Sequence, residues 1–187
     1  MALVEISPSL ADIRSRLGRV GLFSQTATST PITNTTTPTS LISTGVGTLS
    51  VPANTFQVGD AFQAFFSGVI TTTNGQTIQF RLLDGVILLA DSGPISLKQA
   101  TAKAWSLQVN FIIRAIGGAG TAKVFTSGTF LFEQDPANTP EQFSFQFENT
   151  TTFDTTITNT LSVTAEWGAA SLNNSIYSTL FNLYRIY

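Results

Sequence analysis

The chain has 187 residues, one suitable length for a single domain, with a formal net charge of −2 and only 11% charged residues. It contains no Cys and no His, which excludes disulfides, thiolate nucleophiles, His-based metal sites and His-dependent catalytic triads. Nine Lys and Arg spread over the chain form no basic stripe, so nucleic-acid binding by counterion release is not expected. Hydrophobic residues make up 42%, enough to build a core. A surface this poor in charge suits a subunit in contact with neighbours better than a solvated monomer. The absence of Cys fits synthesis in a reducing, cytoplasmic compartment.

Residues 1–23 read as an N-terminal arm. Ser9 can cap a short helix ending at Leu17, with Gly18 as its stop. Leu10, Ile13 and Leu17 form one apolar stripe, and Arg14, Arg16 and Arg19 gather at the C-terminal end, where the helix dipole favours cations. The arm is expected to dock on a neighbouring subunit through Leu10, Ile13, Arg14 and Leu17. The alternative is packing on its own domain. The stretch carries Glu5 and Asp12 and lacks an apolar core of about 7–15 residues, so it is not expected to be a secretory signal. No run approaches the ~20 apolar residues of a membrane helix.

Residues 24–40, "SQTATSTPITNTTTPTS", read as an extended linker or edge segment, because Pro31 and Pro38 forbid a helix and demote a strand to an edge. From Leu41 to Tyr187 the period is two. "AFQAFFSGVIT" places Phe62, Ala64, Phe66, Gly68 and Ile70 on one face, and "TIQFRLL" places Ile78, Phe80 and Leu82 inward. "WSLQVNFIIRAI" does the same with Leu107, Val109, Phe111 and Ile113, and "KVFTSGTFLF" and "FSFQF" continue the pattern. "LSVTAEW" alternates Leu161, Val163, Ala165 and Trp167 with Ser162, Thr164 and Glu166. "SIYSTLFNLYRIY" is apolar on both faces and reads as a strand buried on both sides, or one in the middle of a subunit contact.

Turns separate these runs. Asn74-Gly75 and Asp84-Gly85 suit two-residue hairpins, the first pairing about 65–72 with 76–83. In "TTFDTTITNT", Phe153 and Ile157 read as apolar anchors of an ordered connection and Asp154 as a turn former. The fold class expected is all-β: an antiparallel β-sandwich, a single jelly roll of about eight strands, with a short N-terminal helical arm.

No catalytic, cofactor-binding or metal-binding residues are expected. Asp154 and Glu166 are conceivable as an acid–base pair, but a turn and a polar strand face explain them. "GVGTLSVPAN" and "GGAG" lack the helix a phosphate loop needs. Glu133, Asp135 and Glu141 match no calcium-loop spacing. Asn34, Asn149 and Asn173 head N-x-S/T sequons, which chance supplies in a chain so rich in Thr and Asn.

Three segments carry a resemblance: "TPITNTTTPTSLISTGVGTLSVPANTFQVGDAF" (30–62), "FIIRAIGGAGTAKVFTSGTF" (111–130) and "NTTTFDTTITNTLSVTAEWGAASLNNSIYS" (149–178). In this order the chain resembles the minor capsid or vertex proteins of large double-stranded DNA viruses, the chlorovirus-like and other giant algal viruses. The resemblance implies a single jelly-roll capsid subunit, commonly a homopentamer at the vertex, the penton. It implies the virion as location, and further copies, the major capsid protein and other minor capsid proteins as partners. It brings no catalytic residues. The alternative expectation is a trimeric fibre head or lectin-like module binding a host glycan.

Overall fold

A computed structural model describes residues 19–136 and 138–186. The strands in chain order are β1 (Val20–Gln25), β2 (Ile32–Thr33), β3 (Thr39–Ser40), β4 (Gly45–Gly47), β5 (Ser50–Val51), β6 (Ala61–Thr72) and β7 (Thr77–Asp84). There follow β8 (Ile87–Asp91), β9 (Ile95–Ser96), β10 (Ala100–Ala115), β11 (Lys123–Gln134), β12 (Thr139–Asn149), β13 (Asn159–Trp167) and β14 (Ser175–Arg185). There is no helix among the described residues. The expected helical arm, with Leu10, Ile13, Arg14 and Leu17, lies outside them.

Two antiparallel sheets face each other. The larger runs β12-β11-β10-β6-β14-β1-β4, with β2 also on β14. The smaller runs β3-β13-β7-β8, with β5 on β13 and β9 on β7. The period-two faces expected from the sequence point inward: Phe62, Ala64, Phe66, Ile70, Ile78, Phe80, Leu82, Leu107, Val109, Val163, Ala165 and Trp167 are all buried. Aromatic rings interlock across the gap. Phe80 of the small sheet meets Phe130 of the large one at 4.7 Å between centroids, and within the large sheet Phe66 stacks on its cross-strand neighbour Phe181 at 4.1 Å.

The sandwich begins at Val20. β1 straddles the expected boundary between residues 23 and 24 and pairs with both β14 and β4. The segment read as a linker or edge is woven in. Ile32 and Thr33 join the large sheet, and Thr39 and Ser40 form an edge of the small one.

Two local expectations are corrected. Asn74-Gly75 does form a turn, with Gln76 N–H bonded to Thr73 O and Gly75 at φ 81°. It does not close a hairpin, because β6 belongs to the large sheet and β7 to the small one. The turn carries the chain across the sandwich. Asp84-Gly85, by contrast, does close a hairpin, with Asp84 opposite Ile87. The second correction concerns β14. Within one copy it is not buried on both sides. A bulge between Ser178 and Leu180 inserts Thr179, so Ile176 and Ser178 point inward before it and Phe181 and Leu183 after it. The switch of phase makes the sequence look apolar on both faces.

The edges of the core are closed by side chains. Leu88 O and Leu89 O of the edge strand β8 accept from Asn149 Nδ2 and Thr126 Oγ1 of the large sheet, at 2.7 and 2.9 Å. Buried strand-edge carbonyls are thereby satisfied without a further strand.

Candidate interaction surface

The expected chemistry-bearing residues are dispersed. Glu166 pairs with Arg81, which also reaches Asp91 at 3.5 Å, forming an ionic row on the outer face of the small sheet. Asp154 accepts from Thr156 N–H and Oγ1–H in a loop, and these two bonds hold its carboxyl below the usual carboxylate range. The two carboxylates therefore serve different partners. Asp135 pairs with Lys103 at 3.2 Å, and no group of three or more acidic side chains suited to a metal occurs among the described residues.

Of the two anchors expected in the 150–158 connection, Phe153 is buried and Ile157 is 46% exposed. The second anchor is Asn149, which sequence reading missed. Its Oδ1 accepts the N–H groups of Thr151, Thr152 and Phe153 at 3.0–3.2 Å, while Nδ2 donates to Leu88 O and Thr152 Oγ1. The signal was a short polar side chain at a strand end followed by small residues. Asn149 is 5% exposed, so its sequon is closed to modification in the folded chain. Asn34 and Asn173 are exposed.

The interior holds a cavity of about 40 Å³ lined mainly by Phe56, Phe62, Leu89, Phe153 and Leu161. Small-molecule sites are typically about 300–1,000 Å³, so this space is a packing gap. Asp84 borders it. Burial pushes the Asp84 carboxyl above its ordinary value, partly offset by the Thr160 N–H that donates to it.

Both tryptophans are internal. Trp105 Nε1–H donates to Tyr177 O at 3.2 Å and Trp167 Nε1–H to Ile32 O at 2.9 Å. Neither offers a face to a sugar.

The surface differs between the two ends of the sandwich. Strand direction places Val20, the 57–59 loop, the 85–86 turn, the 116–122 loop and the 150–158 loop at one end. These carry Val20, Val58, Val86, Ile116 and Ile157, five of the nine exposed large hydrophobics among the described residues, and Val86 is 96% exposed. The opposite end carries the 26–31, 34–38, 73–76, 92–94 and 168–174 connections, where Thr, Ser and Asn prevail and only Leu172 is an exposed large hydrophobic. Loops tipped with Val and Ile fit contact with another protein; loops tipped with Thr and Asn fit water. Against known proteins, the chain matches no family model and has no significant match among curated sequences.

Proposed function

We propose that this protein is a viral structural protein, a single jelly-roll capsid subunit that forms the pentameric vertex of an icosahedral double-stranded DNA virus. The observation that carries the reading is strand order. A jelly roll is an antiparallel ribbon of eight strands, pairing first with eighth, second with seventh, third with sixth and fourth with fifth, rolled into two sheets. Counting β1, β3, β6, β7, β8, β10, β13 and β14 as the eight, those pairs are β1·β14, β3·β13, β6·β10 and β7·β8. β11 and β12 are then an added hairpin that widens the sheet ending in β10.

The surface supports the same reading. The chain carries few charges and a set of apolar loop tips at one end, and its N-terminal sequence holds Leu10, Ile13 and Leu17. Copies of itself and other capsid proteins are the partners this surface suits. No enzymatic role is part of the reading. The alternative, a trimeric glycan-binding head, has less support, since both tryptophans are buried and their N–H groups are used within the core.

Light scattering on the purified chain tests the assembly. A pentamer gives about 100 kDa from a 20.0 kDa chain. A monomer at high concentration, together with absence from purified particles, contradicts the proposal.

A further inference from the structure

The large sheet has more strands than the small one, and its edge strand β12, which packs against β8 of the small sheet, is apolar on one face. β12 is bonded to β11 on one side and to no strand on the other. Glu141, Phe143, Phe145 and Phe147 share one face, alternating with exposed Gln142, Ser144, Gln146 and Glu148, and the three phenylalanines are only half-buried against the core. Phe145 leans over Gly128 of β11, where a Cβ would stand 2.1 Å from its ring. The run "QFSFQF" from Gln142 to Phe147 has no charge, Pro or Gly. A long strand edge of this kind recruits another chain unless something covers it.

The N-terminal segment enters the same sheet near its opposite edge, at β1, whose Phe23–Gln25 pair with the edge strand β4. One cross-strand row runs Val20, Arg185, Phe62, Phe111, Thr126, Phe147. Val20 and Phe147 thus lie level along the strands, five strand spacings apart, or about 24 Å. Residues 1–18, which lie outside the described residues, precede Val20 and carry Leu10, Ile13 and Leu17. From Ile13 to Arg19 there are three arginines and no carboxylate. Glu141, which has no ion-pair partner among the described residues, heads the Phe stripe on the same face. A rotation that closes a ring leaves height along its axis unchanged. With the axis along the strands, the arm of one copy starts level with Phe147 of the next.

We propose that residues 1–18 of a second copy cover the Phe143–Phe147 stripe of β12 and join copies head to tail. This rests on the homo-oligomeric reading above and names its contact surface. Leu10, Ile13 and Leu17 span about 10 Å if helical, against about 14 Å from Phe143 to Phe147 as strand. The contact is heterologous, as a closed ring requires, because the arm and the stripe lie toward opposite edges of one sheet.

The chain has no cysteine, so introduced thiols report unambiguously. Two variants with tags of different length are co-expressed and oxidised. One carries Leu10→Cys, Ile13→Cys or Leu17→Cys, and the other Phe147→Cys, with Glu141→Cys at the head of the same face as a partner that leaves the three phenylalanines intact. The expected result is a disulfide joining the two chain lengths for at least one arm position, in an assembly of unchanged mass. An assembly of unchanged mass with no mixed disulfide from any pair overturns the proposed surface and leaves the oligomeric reading standing. A monomeric mass overturns both. In a chain carrying both thiols, an intrachain disulfide without the mixed one shows the arm covering its own copy, and overturns the proposal.

Discussion

Gly68 of β6 lies opposite Ser178 and beside Tyr177, and a Cβ on it would stand 2.0 Å from the Tyr177 carbonyl oxygen. That carbonyl, next to the Thr179 bulge, takes the Trp105 indole N–H passing over the glycine. Gly68→Ala must therefore move backbone rather than a flexible side chain. It is expected to lower unfolding free energy by about 3 kcal/mol in a denaturant titration; a loss below about 1 kcal/mol would refute this packing. Asn149→Ala removes one acceptor from three amides and one donor from Leu88 O, and a loss of about 3 kcal/mol is expected. Asp84 gives a pH signature. Its folded carboxyl is raised by burial, so it contributes stability below its unfolded value of about 3.9 and loses it as pH rises through the folded value. Asp84→Asn keeps an acceptor for Thr160 N–H. It should raise Tm at pH 7, with the gain vanishing near pH 3; an equal effect at both pH values contradicts burial as the cause.

At the scale of elements, most of the sandwich was legible because one buried face per strand imposes alternation; Ile78–Leu82 displays it without interruption, and Phe62–Ile70 and Leu161–Trp167 depart from it only where Gln63 and Thr164 are also buried. Pairing was less legible. Asn74-Gly75 asks for positive φ, and a turn crossing between sheets meets that demand as well as a hairpin does. β14 defeated the reading because the bulge at Thr179 changes phase in mid-strand, so two inward sets fall on opposite parities. The loop after β12 was read correctly as ordered, yet its true clamp, Asn149, is a side-chain network with no apolar signal, and Ile157 drew attention by hydrophobicity alone. Deleting Thr179 tests the bulge. Without it, Ser178 opposite Gly68 is followed directly by Leu180 opposite Ser67, and Ile176, Ser178, Phe181 and Leu183 fall on one parity. The variant should therefore keep a cooperative unfolding transition and native near-ultraviolet circular dichroism. Loss of both would contradict the reading of Thr179 as the single inserted residue.

For the whole molecule, strand order and surface polarity converge on one use. The sandwich has two ends and its larger sheet two edges, and they differ in kind. One end presents Val58, Val86 and Ile157, the other Thr and Asn. The N-terminal segment enters near one edge, and the other bears the Phe stripe of β12. Under the proposed capsid-vertex reading these differences separate the inner, outer and lateral faces of a ring, while composition alone indicates only a surface short of charge. The surfaces proposed for contact lie on edges and loop tips, which carry no motif, so the sequence points to an arm but to no acceptor for it. Electron microscopy of the purified assembly tests the central claim most directly. Class averages should show closed rings with five-fold symmetry; single particles of monomer size, or three-fold trimers, would contradict the capsid-vertex account.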